Sequence, residues 1–110
     1  MSRDKYKVPY HVKIYVEREL KDYKDSKKLI KEFDAETTST REFLLALKRV
    51  KAIEKVLSTL GKEDREAAEI IFFEDMTQPK AEITKGISKT AYYYAKDKVI
   101  YLTARKMNLV

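Results

Sequence analysis

The chain contains no cysteine. That absence excludes a disulfide-stapled scaffold, thiolate metal sites and cysteine nucleophiles. Glycine and proline are nearly as scarce, two of each, so the breakers that punctuate β-rich folds are missing and helix is the expected state. No apolar run approaches the roughly 20 residues needed to span a bilayer. The N-terminal Met-Ser-Arg-Asp-Lys-Tyr-Lys also lacks the apolar stretch of a secretion signal, and a bacterial or viral cytoplasm is the expected setting. Histidine occurs once, at His11. Paired-histidine metal motifs, glycine-rich phosphate loops and Ser-His-Asp sets cannot be assembled. The expectation is a protein without catalytic residues, metal, cofactor or small-molecule substrate.

What is present is charge and apolar periodicity. Hydrophobic residues make up 44% of the 110 positions, enough for one domain or two very small helical lobes sharing a core. Charged residues make up 38%, which implies long solvated helix faces. The formal net charge is +6, a balance that suits a polyanion without naming it. Its distribution says more. Between Gly61 and Thr84, Glu63, Asp64, Glu66, Glu69, Glu74, Asp75 and Glu82 outweigh Lys62, Arg65 and Lys80. From Lys85 onward Asp97 is the only acid, against Lys85, Lys89, Lys96, Lys98, Arg105 and Lys106. An acidic helix followed by a basic one is a polarised module of the kind that meets DNA.

The periodicity predicts a helix over about Tyr10 to Tyr23, where Val12, Tyr15 or Val16, Glu19 or Leu20, and Tyr23 recur at three- and four-residue steps. Alternation at Val12, Ile14 and Val16 keeps a strand open there. Asp25 or Ser26 can cap a short second helix carrying Leu29, Ile30 and Phe33. Asp34 to Thr40 reads as a linker, closing residues 1–38 as an N-terminal segment of two helices and leaving 39–110 as the helical core. Ser39 with Glu42 forms a capping box for a helix from Arg41 to Leu60, whose seam is Phe43, Leu47, Val50, Ile53 or Glu54, Leu57 and Leu60, with Gly61 placed to end it. A fourth helix is expected from about Glu63 to Glu74, sending Ile70, Ile71 and Phe73 inward. Thr77 can cap a fifth, short one with Pro79 in its first turn. Gly86 and Ile87 then turn the chain, and Ser88 caps a last helix running to about Lys106, roughly 28 Å long.

The stretch from Thr77 to Val110 carries the functional expectation. A short capped helix, a corner at a glycine, an apolar residue to pin it and a serine opening a long basic helix are the parts of a helix-turn-helix. The second helix of such a motif must be apolar on one face only, because the other enters the major groove. Ala91 or Tyr92, Ala95, Val99 and Leu102 make the expected inward stripe, with Tyr92 as the core member of the tyrosine triplet. Ser88, Lys89, Thr90, Tyr93, Tyr94, Lys96 and Lys98 are the candidate DNA-binding residues. Lysines and hydroxyls can reach phosphates and base edges, and rings and methyl groups can touch thymine methyls. Each has a plainer reading as well: Ser88 as a helix cap, and Lys96 and Lys98 as solvated lysines.

The segment Ser88-Lys89-Thr90-Ala91-Tyr92-Tyr93-Tyr94-Ala95-Lys96-Asp97-Lys98-Val99-Ile100, with Ala104 beyond it, resembles the ending of ArpU-type phage transcriptional regulators. Glu19-Leu20-Lys21-Asp22-Tyr23 is similar to the first helix of the related RinA-type activators. Leu57 and Leu60 before an acidic helix ending in Phe72-Phe73-Glu74-Asp75 fit the same pattern. Both groups resemble region 4 of bacterial sigma factors in their DNA-binding half. The segment from Thr77 to Ile87 is shorter and less apolar than in sigma-like modules. The resemblance implies an all-α bundle with a C-terminal sigma region 4-like helix-turn-helix. It also implies a regulator, an activator of late phage or prophage genes, acting on double-stranded promoter DNA in the host cytoplasm and nucleoid. Host RNA polymerase and a second copy, joined through the Arg41 to Leu60 seam, are the other expected partners. Two alternatives stay open: an adaptor that binds polymerase rather than DNA, and the small subunit of a packaging terminase.

Overall fold

The structure, a computed structural model, describes residues 3–110. Among them the chain is all-helical, with no strand. A short 3-10 turn, Arg3–Tyr6, precedes α1 (Tyr10–Lys21), α2 (Tyr23–Lys31), α3 (Thr40–Thr59), α4 (Lys62–Ala68), a π-turn (Glu69–Phe73), α5 (Gln78–Lys85) and α6 (Lys89–Lys106). No helix is long and apolar enough to cross a membrane among the described residues.

The last helix is the axis of the molecule. Tyr92, Ala95, Val99, Ile100 and Ala104 on α6 join Val12, Val16 and Leu20 of α1, Val50 and Ile53 of α3, and Ile71 and Phe72 of the π-turn in one core. Burying a side chain such as Phe72, Leu20 or Ile53 contributes about 1.5–3 kcal/mol. α1 is helical despite its alternating valines, because Val12, Val16 and Leu20 recur every four residues and all three are buried on that phase. Its contact with α6 puts residues on both sides of the 34–40 linker into the same core.

The second helix starts earlier than its capping residues suggest. A single joint at Asp22 separates it from α1, with no side-chain cap, and Ser26 lies inside the helix and is buried. Arg49 explains that burial. Its Nη1 donates to Ser26 Oγ at 2.7 Å and its Nη2 to Glu19 at 2.7 Å, tying α3 to α2 and α1. Glu19 also raises the pKa of Arg49, so the guanidinium stays charged. Tyr23 adds a hydroxyl donated to Glu54 at 2.8 Å and a ring 4.7 Å from that of Phe73. Across the linker, Phe33 and Phe43 stack with centroids 4.3 Å apart.

Ser39 opens α3 as its spacing predicts, accepting the Glu42 amide at 3.1 Å. The seam of that helix is spent inside the molecule: Val50, Ile53 and Leu60 are buried, and Leu57 is half-buried against the same core. Gly61 does not end α3 by a left-handed turn. Its φ of −68° is ordinary, and it stands at the N-cap of α4 instead. The acidic helix runs on from Ala68 into the π-turn, where the Glu74 amide bonds to the Glu69 carbonyl five residues back. That wider turn shifts the inward phase, so Phe72 becomes the buried aromatic and Ile70 and Phe73 are only half-buried.

Candidate nucleic-acid interface

Thr77 stands at the N-cap of α5 without a side-chain cap bond, and Pro79 lies in the first turn, where its missing amide costs nothing. Eight residues later the chain must reverse. Gly86 does this at φ +69°, a left-handed conformation that other residues adopt only with strain. Its amide bonds to the Glu82 carbonyl and the Ile87 amide to the Ala81 carbonyl, so the end of α5 is closed by backbone. Ile87 packs against the core beside the buried Ala81, which pins the corner. Ser88 then caps α6 by accepting the Ala91 amide at 3.2 Å.

The candidate residues on α6 divide sharply along its length. Ser88, Lys89 and Thr90 are exposed, as is Ala91, which the sequence offers as a core residue. Tyr92 is buried, and its hydroxyl donates to the Met76 carbonyl at 2.7 Å, locking the start of α6 to the segment before α5. Burial raises the pKa of that hydroxyl, with smaller contributions from Tyr93, Asp75 and Glu17. Tyr93 is half-buried, edge-on to Tyr92 at 5.1 Å, at a surface depression shared with Gln78 and Pro79. At 100° per residue, Lys89, Tyr93 and Lys96 fall on one line of the helix, with Thr90 beside it.

Further along, the side chains are turned to intramolecular work. Tyr94 meets the Tyr6 ring edge-to-face at 5.6 Å. The interaction between the two side chains lowers the pKa of Tyr6 and raises that of Tyr94. Tyr101 flanks Tyr6 on the other side, also at 5.6 Å. Lys96 lies 3.8 Å from Glu17 of α1, and Lys98 lies 2.6 Å from Asp64 of α4. Both lysines are mostly buried, and the bond from Asp64 raises the pKa of Lys98. The structure therefore places Ser88, Lys89, Thr90 and Tyr93 in the first turns of α6, the first three exposed and Tyr93 half-buried. Tyr94, Lys96 and Lys98 make intramolecular contacts, so Lys96 and Lys98 are not freely solvated lysines.

Sequence reasoning missed the wall beside this end. A groove of ≈ 990 Å³ separates α4 and the π-turn from the corner, floored by Ala67, Ile70, Ile87 and Ala95 and rimmed by Glu63, Glu66, Glu69 and Glu74. The acids were visible as a run, but their position against Gly86 and Ser88 depends on how α4 docks on α6. Their charge disfavours phosphates along α4 and the π-turn, whereas Lys85, Gly86 and Ser88 line the groove from the corner. On α5, across the corner, Lys80 is exposed. Ile83, on the outer face of α5, is 83% exposed, an apolar side chain with no core role. Among the described residues no cluster of His, Cys, Asp or Glu could hold a metal ion. No protein-family model, curated protein or solved structure matches this chain.

Proposed function

We propose that the protein is a sequence-specific regulator of transcription that binds double-stranded DNA, with α5, the Gly86 corner and α6 working as a helix-turn-helix. The observation that carries the reading is the solvent-exposed first turn of α6. Ser88, Lys89 and Thr90 project from a rigid corner, while the rest of the same helix is anchored in the core. Recognition helices read bases with their N-terminal residues, so burial of the later turns is compatible with the role. Lys89 and the Thr90 hydroxyl are suited to base edges and phosphates, the Ser88 hydroxyl and the free amides behind it to a phosphate, and the Tyr93 ring to a thymine methyl. Tyr94, Lys96 and Lys98 act indirectly by holding the helix in place. The resemblance of this ending to ArpU-type phage regulators supports activation of late phage genes as the biological setting.

Selection of bound duplexes from a randomised library, followed by titration of the enriched site, tests the reading. Lys89→Ala and Thr90→Ala should each weaken binding to the selected site, by about 5- to 100-fold for a lost base contact, with unchanged helicity. Wild-type affinity in both variants, or a library that yields no enriched sequence, overturns it.

A second reading is favoured by the acid-rimmed groove and by Ile83: an adaptor that binds host polymerase through those surfaces instead of DNA. The seam of α3 is less available for that purpose, because Val50, Ile53 and Leu60 are buried and Phe43, Leu47 and Leu57 half-buried. Polymerase capture by wild type that is lost in Ile83→Asp, with no duplex bound at low salt, selects this alternative.

A further inference from the structure

We propose that α3 carries a second, sequence-independent nucleic-acid surface: the cationic stripe Arg41, Lys48, Lys51 and Lys55. The four side chains are exposed, and none lies within ion-pair distance of an acid among the described residues. They recur at steps of seven, three and four residues, so they fall within roughly 80° of the helix circumference. At 1.5 Å per residue the line extends about 21 Å. Leu44 is the one apolar residue inside it.

The two acids of the helix are off this face. Glu54 accepts the Tyr23 hydroxyl and lies 3.9 Å from Lys27, both on α2. Glu42 lines the cleft between α2 and α3 together with Asp22 and Asp25. By contrast Arg49, on the inner side of α3, is paired with Glu19 at 2.7 Å. The helix thus neutralises its inward cation and leaves the outward ones together, without counter-charge.

The shape of the stripe selects its occupant. A protein partner would need an apolar centre to the contact, and an anionic membrane would need an apolar helix face to insert. Here Val50 and Ile53 of α3 are in the core, and the large apolar side chains that α3 leaves exposed are the adjacent Leu44 and Leu45 at its N-terminal end, too few for such a centre or face. A straight row of cations instead matches a continuous line of phosphates. Duplex DNA offers one negative charge per about 1.7 Å of axis, so about 21 Å of it presents roughly 12 phosphates. The inference deepens the DNA-binding reading above and gives it a clamp for the backbone, on a different helix from the corner.

The test compares wild type, a neutralised variant (Arg41→Gln, Lys48→Gln, Lys51→Gln, Lys55→Gln) and a charge-keeping variant (Lys48→Arg, Lys51→Arg, Lys55→Arg) on a labelled random-sequence duplex across salt. Glutamine keeps helix propensity, and circular dichroism with a thermal melt checks the fold. Neutralisation should make the log–log salt slope shallower by about 3 and lower low-salt affinity at least tenfold, while the arginine variant stays at wild type. An unchanged slope overturns the proposal, as does tighter binding of wild type to phosphatidylserine vesicles than to the duplex. Lys89→Ala separates the two readings. A variant that keeps the slope within about one unit but loses preference for a selected site supports both. Loss of the slope on neutralisation, with no effect of Lys89→Ala anywhere, retains the stripe and rejects the corner.

Discussion

At the residue scale, the polar side chains that hold α6 and α3 in place share one electrostatic sense. The Tyr23 hydroxyl, buried and donated to Glu54, has its pKa raised well above the ordinary tyrosine value. Tyr92 is raised by burial, and Lys98 by its bond to Asp64. A group whose folded pKa lies above its unfolded value stabilises fully below the unfolded pKa, and the stabilisation is lost as pH rises toward the folded one. The ordinary values are 10.0 for tyrosine and 10.5 for lysine, so stability should be flat through neutrality and fall once pH passes 10. Thermal melts from neutral pH upward check this, with tyrosinate absorbance as a second readout. Tyr23→Phe should shallow the alkaline decline. A melting temperature unmoved above pH 10, or a decline equal in Tyr23→Phe and wild type, contradicts the assignment.

Legibility followed range along the chain. The caps at Ser39 and Ser88 and the left-handed glycine at 86 could be read from the sequence because each needs only residues a few positions away. Lys96 and Lys98 could not. Their acids, Glu17 and Asp64, lie on α1 and α4, and only the docking of those helices on α6 brings the charges together. Tyr94 is the same case, since its partner Tyr6 sits in the first turn of the chain.

At the scale of elements, the junctions determine the outcome. The existence of α1, α3 and α6 follows from apolar period and that of α2 and α5 from capping and first-turn residues, but phase inside the acidic helix does not. The π-turn adds a residue to one turn and moves Phe72 to the inside. The two glycines show how different two junctions can be. Gly86 is left-handed with open space around a would-be Cβ, so Gly86→Ala meets no clash and should lose only backbone energy, about 1 kcal/mol. Gly61 has an ordinary φ, equally open space and an N-cap position without a side-chain cap, so Gly61→Ser should gain about 0.5 kcal/mol. Denaturant melts of the two variants test the pair. A Gly86→Ala protein as stable as wild type would mean the corner is not left-handed in solution. On α3 the row of like charges costs the isolated helix about 0.2–0.5 kcal/mol per neighbouring pair, and a bound polyanion would relieve that cost.

At the scale of the whole molecule, a net charge of +6 is arranged rather than spread. Lys96 and Lys98 in the middle of α6 are matched by Glu17 and Asp64 of other helices, an acidic wall flanks one side of the corner, and the exposed cations Arg41, Lys48, Lys51 and Lys55 of α3 and Lys89 at the start of α6 lie outside ion-pair distance of any acid among the described residues. The same helix therefore has a buried part that positions it and an exposed tip available to a ligand. That division is the central physical claim, and it can be followed amide by amide. In a titration of isotope-labelled protein with a duplex of the selected site, NMR shifts should be largest from Gly86 to Tyr93 while Val99 to Ala104 stay still. A bound duplex that leaves the amides of Ser88, Lys89 and Thr90 unmoved would contradict the account.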